Sequence, residues 1–163
     1  MMLVVSNAGP LISLARIGHF RLLQQVFGRI CIPQAVYDEV VIAGAGRAGA
    51  EETREATDNR VEARSVQNQV TVRSLLTKLG KGEPEAIALA VEASSDLVLL
   101  DDRRARATAE FMGLNVTGTV GLLIRAARRG LVTQPHAVLD ELRAHGFRLG
   151  DEVYSRVLRS LGR

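Results

Sequence analysis

Short aliphatic runs that end in polar residues alternate with longer segments of helical spacing along this chain. The runs at 3–5 and 97–100 are uninterrupted. That is the pattern of strands buried on both faces of a parallel sheet, because a half-exposed strand would alternate apolar and polar residues. Weaker strand patterns occur at 29–32, 61–66 and 114–116. The sequence therefore predicts a sheet of several short, mostly buried strands.

Helical spacing fills the segments between these strands. Helices are predicted at 11–27 with a break at Gly18, from Pro33 onward, and at 70–79, 84–94, 103–112, 120–129, 135–145 and 150–161. The glycine- and alanine-rich segment 43–50 is predicted to be a loop or a loosely held helix start. Because strands that alternate with helices require parallel crossovers, the predicted fold is a three-layer α/β/α sandwich with a parallel central sheet. We expect a single domain over 1–163, helical from about residue 131.

Composition constrains the size, the compartment and the partners of the protein. The 163 residues, 47% of them hydrophobic, can bury one core. The formal net charge of +3 tolerates a polyanionic partner without requiring one. Cys31, the single cysteine, is predicted to be buried, and one thiol favours a reducing compartment. The chain shows neither a signal peptide's basic start nor an apolar segment of about 18 residues. We therefore expect a soluble, cytoplasmic protein.

Polar side chains follow two of the predicted strands. Asn7 comes after the first strand, and Asp101 and Asp102 come after the strand at 97–100. Ligands of such folds bind beyond the carboxyl ends of the strands. Asp102 alone is explained as the N-cap of the following helix. Asp101 adds a like charge that a bound divalent cation would relieve, so both interpretations of the doublet stay open.

Two later acidic positions each leave a choice between neighbours. At 100° per residue, Asp38 and Glu39 flank the apolar face of the helix after Pro33 on opposite edges, so geometry does not choose between them.

In the next helix Glu83 precedes Ile87 and Val91 at steps of four, which predicts that its side chain begins the buried stripe. Glu85 is predicted on the opposite side, where a first-turn charge satisfies the helix dipole. Glu83 is therefore the favoured inward-facing acid.

Basic residues follow the aspartate doublet directly, at Arg103, Arg104 and Arg106. They are explained either as surface charge or as contacts to phosphates. The chain has no phosphate-binding glycine loop, no His-Glu-x-x-His motif and no nucleophile elbow. The remaining candidates are carboxylates, which suit Mg²⁺ or Mn²⁺ better than Zn²⁺.

Four motifs in order carry a resemblance to a known family. They are VVSNAGPLI near the start, P-x-x-V-x-x-E at 33–39, G-E-x-E-A-I-A-L-A at 82–90 and L-L-D-D-R-R at 99–104. Together they resemble the PIN domain, and most closely a prokaryotic branch related to VapC-type toxins. The resemblance covers most of the chain and is weakest in the segment after Ala43.

The resemblance implies a ribonuclease that uses Mg²⁺ or Mn²⁺. The family's four acidic positions fall on Asn7, on Glu39, on Glu83 or Glu85 with Glu83 favoured, and on the Asp101–Asp102 doublet. Glu39, Glu83, Asp101 and Asp102 are thus the implied metal ligands, with Glu83 a ligand or general base. RNA, a small cognate antitoxin and a second copy of the chain are the implied partners.

Asn7 departs from the pattern, because an amide oxygen can coordinate a cation but brings no charge and cannot act as a base. It supports the alternative of a catalytically weak or inactive PIN-like module that binds RNA or protein. A phosphorylation-receiver-like module fits poorly, because its aspartate pair follows the first strand and here the pair follows a late one.

Overall fold

A computed structural model describes residues 2–80 and 82–162 of the chain. The described residues contain one sheet of five strands in the order β3-β2-β1-β4-β5, and every neighbouring pair is parallel. The strands are β1 (Val4–Ser6), β2 (Ile30–Pro33), β3 (Val61–Arg64), β4 (Leu97–Leu99) and β5 (Val116–Thr117). All five predicted strands are present, within one to two residues of the predicted bounds at most ends.

Helices connect the strands and cover the sheet. In chain order they are α1 (Ala8–Arg16), α2 (Leu22–Phe27), α3 (Gln34–Tyr37) with a π-helical continuation (Asp38–Ala43), α4 (Ala50–Ala56), α5 (Gln69–Leu76), α6 (Glu83–Glu92), α7 (Arg103–Phe111), α8 (Thr119–Arg128), α9 (Pro135–Ala144) and α10 (Asp151–Ser160). Within the described ranges no helix is both long enough and apolar enough to cross a membrane.

Two apolar clusters pack on the two faces of the sheet. In β1, Val4 belongs to one cluster and Val5 to the other, and both are fully buried. In β4, Leu99 and Val98 divide in the same way. Because successive side chains of a strand point to opposite faces, helices must cover both sides of the sheet. The predicted three-layer α/β/α sandwich with a parallel central sheet is therefore confirmed.

Two local differences separate the structure from the predicted elements. The long helix predicted from residue 11 begins at Ala8 and is interrupted at Gly18, whose φ of 72° ends the first segment as expected. Helix α4 lies in a segment whose polar sequence concealed it, because only Thr53, Ala56 and the first residue, Ala50, face the core. Too few apolar residues mark this helix for its spacing to be visible in the sequence.

Candidate functional site

The ends of β1 and β4 lie side by side at the carboxyl edge of the sheet. Ser6 pairs with Leu99 in register, and the Asn7 N–H donates to the Leu99 carbonyl at 3.1 Å. The polar residues that follow the two strands, Asn7 on one and the doublet at 101–102 on the other, are therefore neighbours. The sequence predicted that both groups follow strands of a parallel sheet, and the structure adds that these two strands are neighbours.

Asn7 and Glu39 meet at the backbone of Gly82. A Cβ on Gly82 would lie 3.2 Å from Asn7 Oδ1 and 3.0 Å from Glu39 Oε1. Asn7 Oδ1 is buried and accepts no hydrogen bond from any described residue. A buried oxygen without a donor is costly, and such groups in native structures call for an explanation such as a bound ion. Two oxygens of the kind that a hard cation prefers thus lie beside one small backbone gap.

A local change of helix type brings Glu39 to this position. After Tyr37 the helix widens into the π-helical segment Asp38–Ala43. Such segments are uncommon and frequently lie at functional sites. The Asp38 carboxylate accepts a hydrogen bond from Gln34 Nε2 at 3.0 Å in an exposed position. Glu39 is therefore the acid of the pair that lies beside Asn7.

Glu83 lies close to two other acids. Burial is the main cause that raises the pKa of its carboxyl, followed by the negative charge of Asp102, and Glu39 adds a smaller effect in the same direction. A hydrogen bond from the Gly80 backbone lowers the pKa and opposes them. Glu83 and Asp102 line one open cleft of about 680 Å³, whose lining residues do not include Glu85.

The buried stripe that led us to Glu83 is wrong in its details. Ile87 is fully buried, but Val91 is 43% exposed, whereas Leu89, four residues after Glu85 and therefore on the side predicted to face outward, is buried. Helix α6 packs against its neighbours over most of its circumference, so it has no single buried face. Glu83 reaches the site because it is the first residue of the helix, next to Gly82.

The aspartate doublet is split between two environments. Asp101 Oδ1 accepts the Thr119 N–H and Asp101 Oδ2 accepts the Thr119 hydroxyl, each at 2.7 Å. Burial raises the pKa of the Asp101 carboxyl, and the two hydrogen bonds oppose this. Asp102 is exposed, and its Oδ2 caps helix α7 by accepting the Ala105 N–H at 2.9 Å. The N-cap expected from the sequence is thus present, on the residue that also faces Glu83.

These acids surround the strand ends without forming a closed cage. Among residues 2–80 and 82–162, no three His, Cys, Asp or Glu side chains lie close enough together to hold a metal ion. The donors that do converge are the oxygens of Asn7 and Glu39 at Gly82 and the carboxylates of Glu83 and Asp102 in the cleft. All are oxygen ligands, which fit Mg²⁺ or Mn²⁺ in kind.

The three arginines after the doublet line two depressions. Arg103 and Arg104 line the cleft of Glu83 and Asp102, together with Lys78, and Arg103 also lines the second depression. Arg106 lies on the other side, where its charge acts on Asp101.

Sequence reasoning did not identify Gly82 or Thr119 as site residues. The sequence indicates Gly82 only as the first residue of the motif at 82–90 and does not show its φ of 84°, which favours glycine. The only sequence signal for Thr119 was a hydroxyl at the start of a predicted helix, directly after a strand.

Comparison with known protein families gives one match that covers nearly the whole chain. Residues 3–163 match the profile of the family described as DUF3368: PIN domain. A search of curated proteins gave no significant match.

Proposed function

Because this chain belongs to the PIN-domain family, we propose that it is a ribonuclease that hydrolyses RNA phosphodiesters with the help of Mg²⁺ or Mn²⁺. The observation that carries the proposal is the meeting of Asn7 Oδ1, a buried oxygen without a donor, and Glu39 Oε1 at Gly82. This pair lies at the sheet edge that also carries Glu83 and Asp102.

The residues take different roles in this proposal. Glu39 and Asp102 would hold the cation, directly or through water, and Asn7 would contribute an uncharged oxygen. Glu83 is either a further ligand or the general base. A bound divalent cation supplies charge neutralisation and an activated water in such sites. Asp101, whose two oxygens are both engaged by Thr119, is better suited to positioning Asp102 than to binding metal.

Electrostatic repulsion within the cluster supports the need for a cation. The charges of Asp102 and Glu39 both raise the pKa of Glu83. A nearby positive charge would favour the ionised form and remove this effect. A general base also benefits from a pKa raised toward neutral pH, so the same environment suits either role of Glu83.

A cleavage assay tests the proposal. End-labelled single-stranded RNA is incubated with the protein and Mg²⁺, with Mn²⁺, or with EDTA. We expect cleavage only with metal, its loss in Asp102→Asn, and its retention in Glu85→Gln, because Glu85 does not line the cleft. The amide oxygen that Asp102→Asn introduces can still cap helix α7, so melting curves should show a folded variant. Cleavage that survives EDTA and Asp102→Asn would contradict the proposal.

Two observations favour the second candidate, a PIN-like module that binds RNA or protein without cleaving. Within the described ranges no three acidic, cysteine or histidine side chains are gathered closely enough for a metal, and Asn7 stands where the family pattern has an acid. RNA binding without cleavage under both metals would support this candidate.

We further propose that the ribonuclease is the toxin of a toxin–antitoxin pair and acts as a homodimer in the cytoplasm. The support is the resemblance of the four motifs to the VapC-related branch. Expression in a bacterial host should arrest growth, and co-expression of an adjacent small reading frame should relieve the arrest. Light scattering of the purified protein tests the dimer.

A further inference from the structure

A second depression, of about 800 Å³, lies beside the acidic site, between helices α7 and α8 and the C-terminal helix α10. Four arginines line this groove: Arg103 and Arg106 from α7, Arg148 from the loop before α10, and Arg156 from α10. The first two follow the aspartate doublet in sequence. The other two come from the far end of the chain and had no place in the sequence-based site.

The groove carries more positive than negative charge, with four arginines against two acids. Its acidic lining residues, among those described, are Glu110 and Asp101, and Asp101 is already bonded to Thr119. Of the four arginines, only Arg156 forms an ion pair within the described ranges, with Glu152 at 3.6 Å, and both side chains of that pair are largely exposed. Exposed pairs of this kind contribute little and are easily exchanged. The groove therefore suits an anionic ligand.

The groove adjoins the cleft of the acidic site. Arg103 and Ala107 line both depressions, so an extended ligand that lies across these two residues of α7 would reach from Glu83 and Asp102 into the groove. The floor is apolar, with Val120 and Ile124 from α8 and the partly buried ring of Phe147. The arginines can contact the phosphates along one side of a nucleic-acid strand. The apolar floor, which includes the Phe147 ring, can contact the bases on its other side.

We infer that this groove holds a single-stranded segment of RNA that extends from the acidic site, with Arg106, Arg148 and Arg156 contacting its phosphates. The choice of RNA as the ligand rests on the proposed ribonuclease function. An acidic protein segment would match the charge of the groove, but it would not account for the position of the groove directly beside the proposed cleavage site, with Arg103 lining both. These phosphate contacts position the strand and carry no base preference.

Fluorescence anisotropy with a labelled single-stranded RNA of about twelve nucleotides tests this proposed path of the RNA along the groove. The measurements are made with Mg²⁺ in the Asp102→Asn background, which prevents cleavage during the titration. Arg148→Ala and Arg156→Ala are compared with Arg159→Ala, which removes the same charge from an exposed position of α10 outside the groove. Melting curves confirm that each variant is folded.

We expect Arg148→Ala and Arg156→Ala each to raise Kd by roughly three- to tenfold at low salt, and to lower the salt slope by about one. Arg159→Ala should change Kd by less than about twofold, since only long-range charge is lost. If all three variants change Kd equally, or if none changes it, the RNA does not follow the groove. Such a result would not contradict the ribonuclease proposal. Displacement of the RNA from the groove by a poly-glutamate peptide at comparable concentration would assign the groove to an acidic protein instead.

The two proposals can fail separately. If RNA binds through Arg148 and Arg156 but the native protein cleaves nothing, the path stands and the ribonuclease proposal fails. If the native protein cleaves RNA while Arg148→Ala and Arg156→Ala bind it normally, the ribonuclease proposal stands and the path fails. If the RNA does not bind at all, the path is wrong.

Discussion

Both carboxylate oxygens of Asp101 accept hydrogen bonds from a single residue, Thr119, which lies 18 positions later in the chain. One hydrogen bond comes from the Thr119 backbone and the other from its hydroxyl. They join the end of β4 to the start of α8, and the neighbour of Asp101 in sequence is the exposed Asp102. The pair therefore fixes the backbone from which Asp102 faces the cleft.

Thr119→Val should destabilise the protein by about 1–3 kcal/mol, because it leaves one partly buried oxygen of Asp101 without a donor. Thr119→Ser keeps the hydroxyl and serves as the control, with a smaller loss from the missing methyl group. Urea unfolding of both variants measures the difference in the free energy of unfolding. Equal stability of the valine and serine variants would show that the hydroxyl contributes nothing.

Gly82 offers a matched test of the gap between Asn7 and Glu39. Gly82 and Gly46 both have a φ of 84°, but a Cβ on Gly46 would meet nothing within 4 Å. Alanine at either position costs about 1–2 kcal/mol of backbone strain. Gly82→Ala should cost more than Gly46→Ala, and it alone should weaken the thermal stabilisation by Mn²⁺. Identical behaviour of the two variants would remove the gap from the proposed metal site.

The fold was accessible from the sequence because buried parallel strands leave an unmistakable pattern. The aliphatic runs that became β1 and β4 are covered on both faces, so no polar residue interrupts them. Their polar ends then identify the edge of the sheet where the candidate site lies. Helix α4 escaped detection because its core-facing residues are small or polar, as Thr53 is.

The identity of the individual site residues could not be predicted from regular helical spacing. The choice between Asp38 and Glu39 could not be made at 100° per residue, because both acids border the apolar face, and the sequence does not show that the backbone from Asp38 onward is π-helical. The division of the doublet depends on Thr119, a partner distant in sequence. The contribution of Arg148 and Arg156 to the groove depends on how α10 packs against α9, which no local pattern encodes.

The raised pKa of Glu83 gives a pH-dependent prediction. In the folded protein the Glu83 carboxyl stays protonated at pH values somewhat above its ordinary pKa of 4.5, at which the carboxyl of the unfolded chain is already ionised. Stability contributed by Glu83 is therefore complete below that value and falls as the pH rises through the folded pKa. Without metal, Glu83→Gln should match the native protein near pH 4 and become more stable than it toward pH 7.

Thermal unfolding across this pH range, in EDTA, measures the difference between the two proteins. Other acids also make the stability of the protein depend on pH. Arg64 lowers the pKa of Glu62, for example, so the stability that Glu62 contributes is lost as the pH falls. Because the native protein and the variant share these acids, the difference between the two reports on Glu83 alone. Glu85→Gln is the control and should show no such growing difference. Added Mn²⁺ should reverse the order at pH 7, because only the native carboxylate gains from the cation. If the difference in stability between the native protein and Glu83→Gln is the same from pH 4 to pH 7, it does not arise from ionisation of Glu83.

Asn7→Asp replaces the one uncharged member of the site by a carboxylate. Without metal the new charge lies beside Glu39 at Gly82, so it should repel its neighbours and lower the melting temperature. With Mn²⁺ or Mg²⁺ the order should reverse, because a further charged ligand strengthens the binding of a hard cation. Matched melting curves with Mn²⁺ and with EDTA measure both effects, and Asn7→Ala, which removes the oxygen, controls for the loss of coordination.

RNA cleavage by Asn7→Asp then separates the two candidate functions. If the native protein is a weakened nuclease, the variant should bind metal more tightly and cleave faster. If the native protein is a binding module, metal affinity should rise while cleavage stays absent. The buried and unpartnered Asn7 Oδ1 makes the first outcome our expectation, because that oxygen and the Glu39 carboxylate both approach Gly82, where the proposed cation would bind. A variant that gains neither metal affinity nor activity would place Asn7 outside the site, and the proposed coordination of the cation would have to be abandoned.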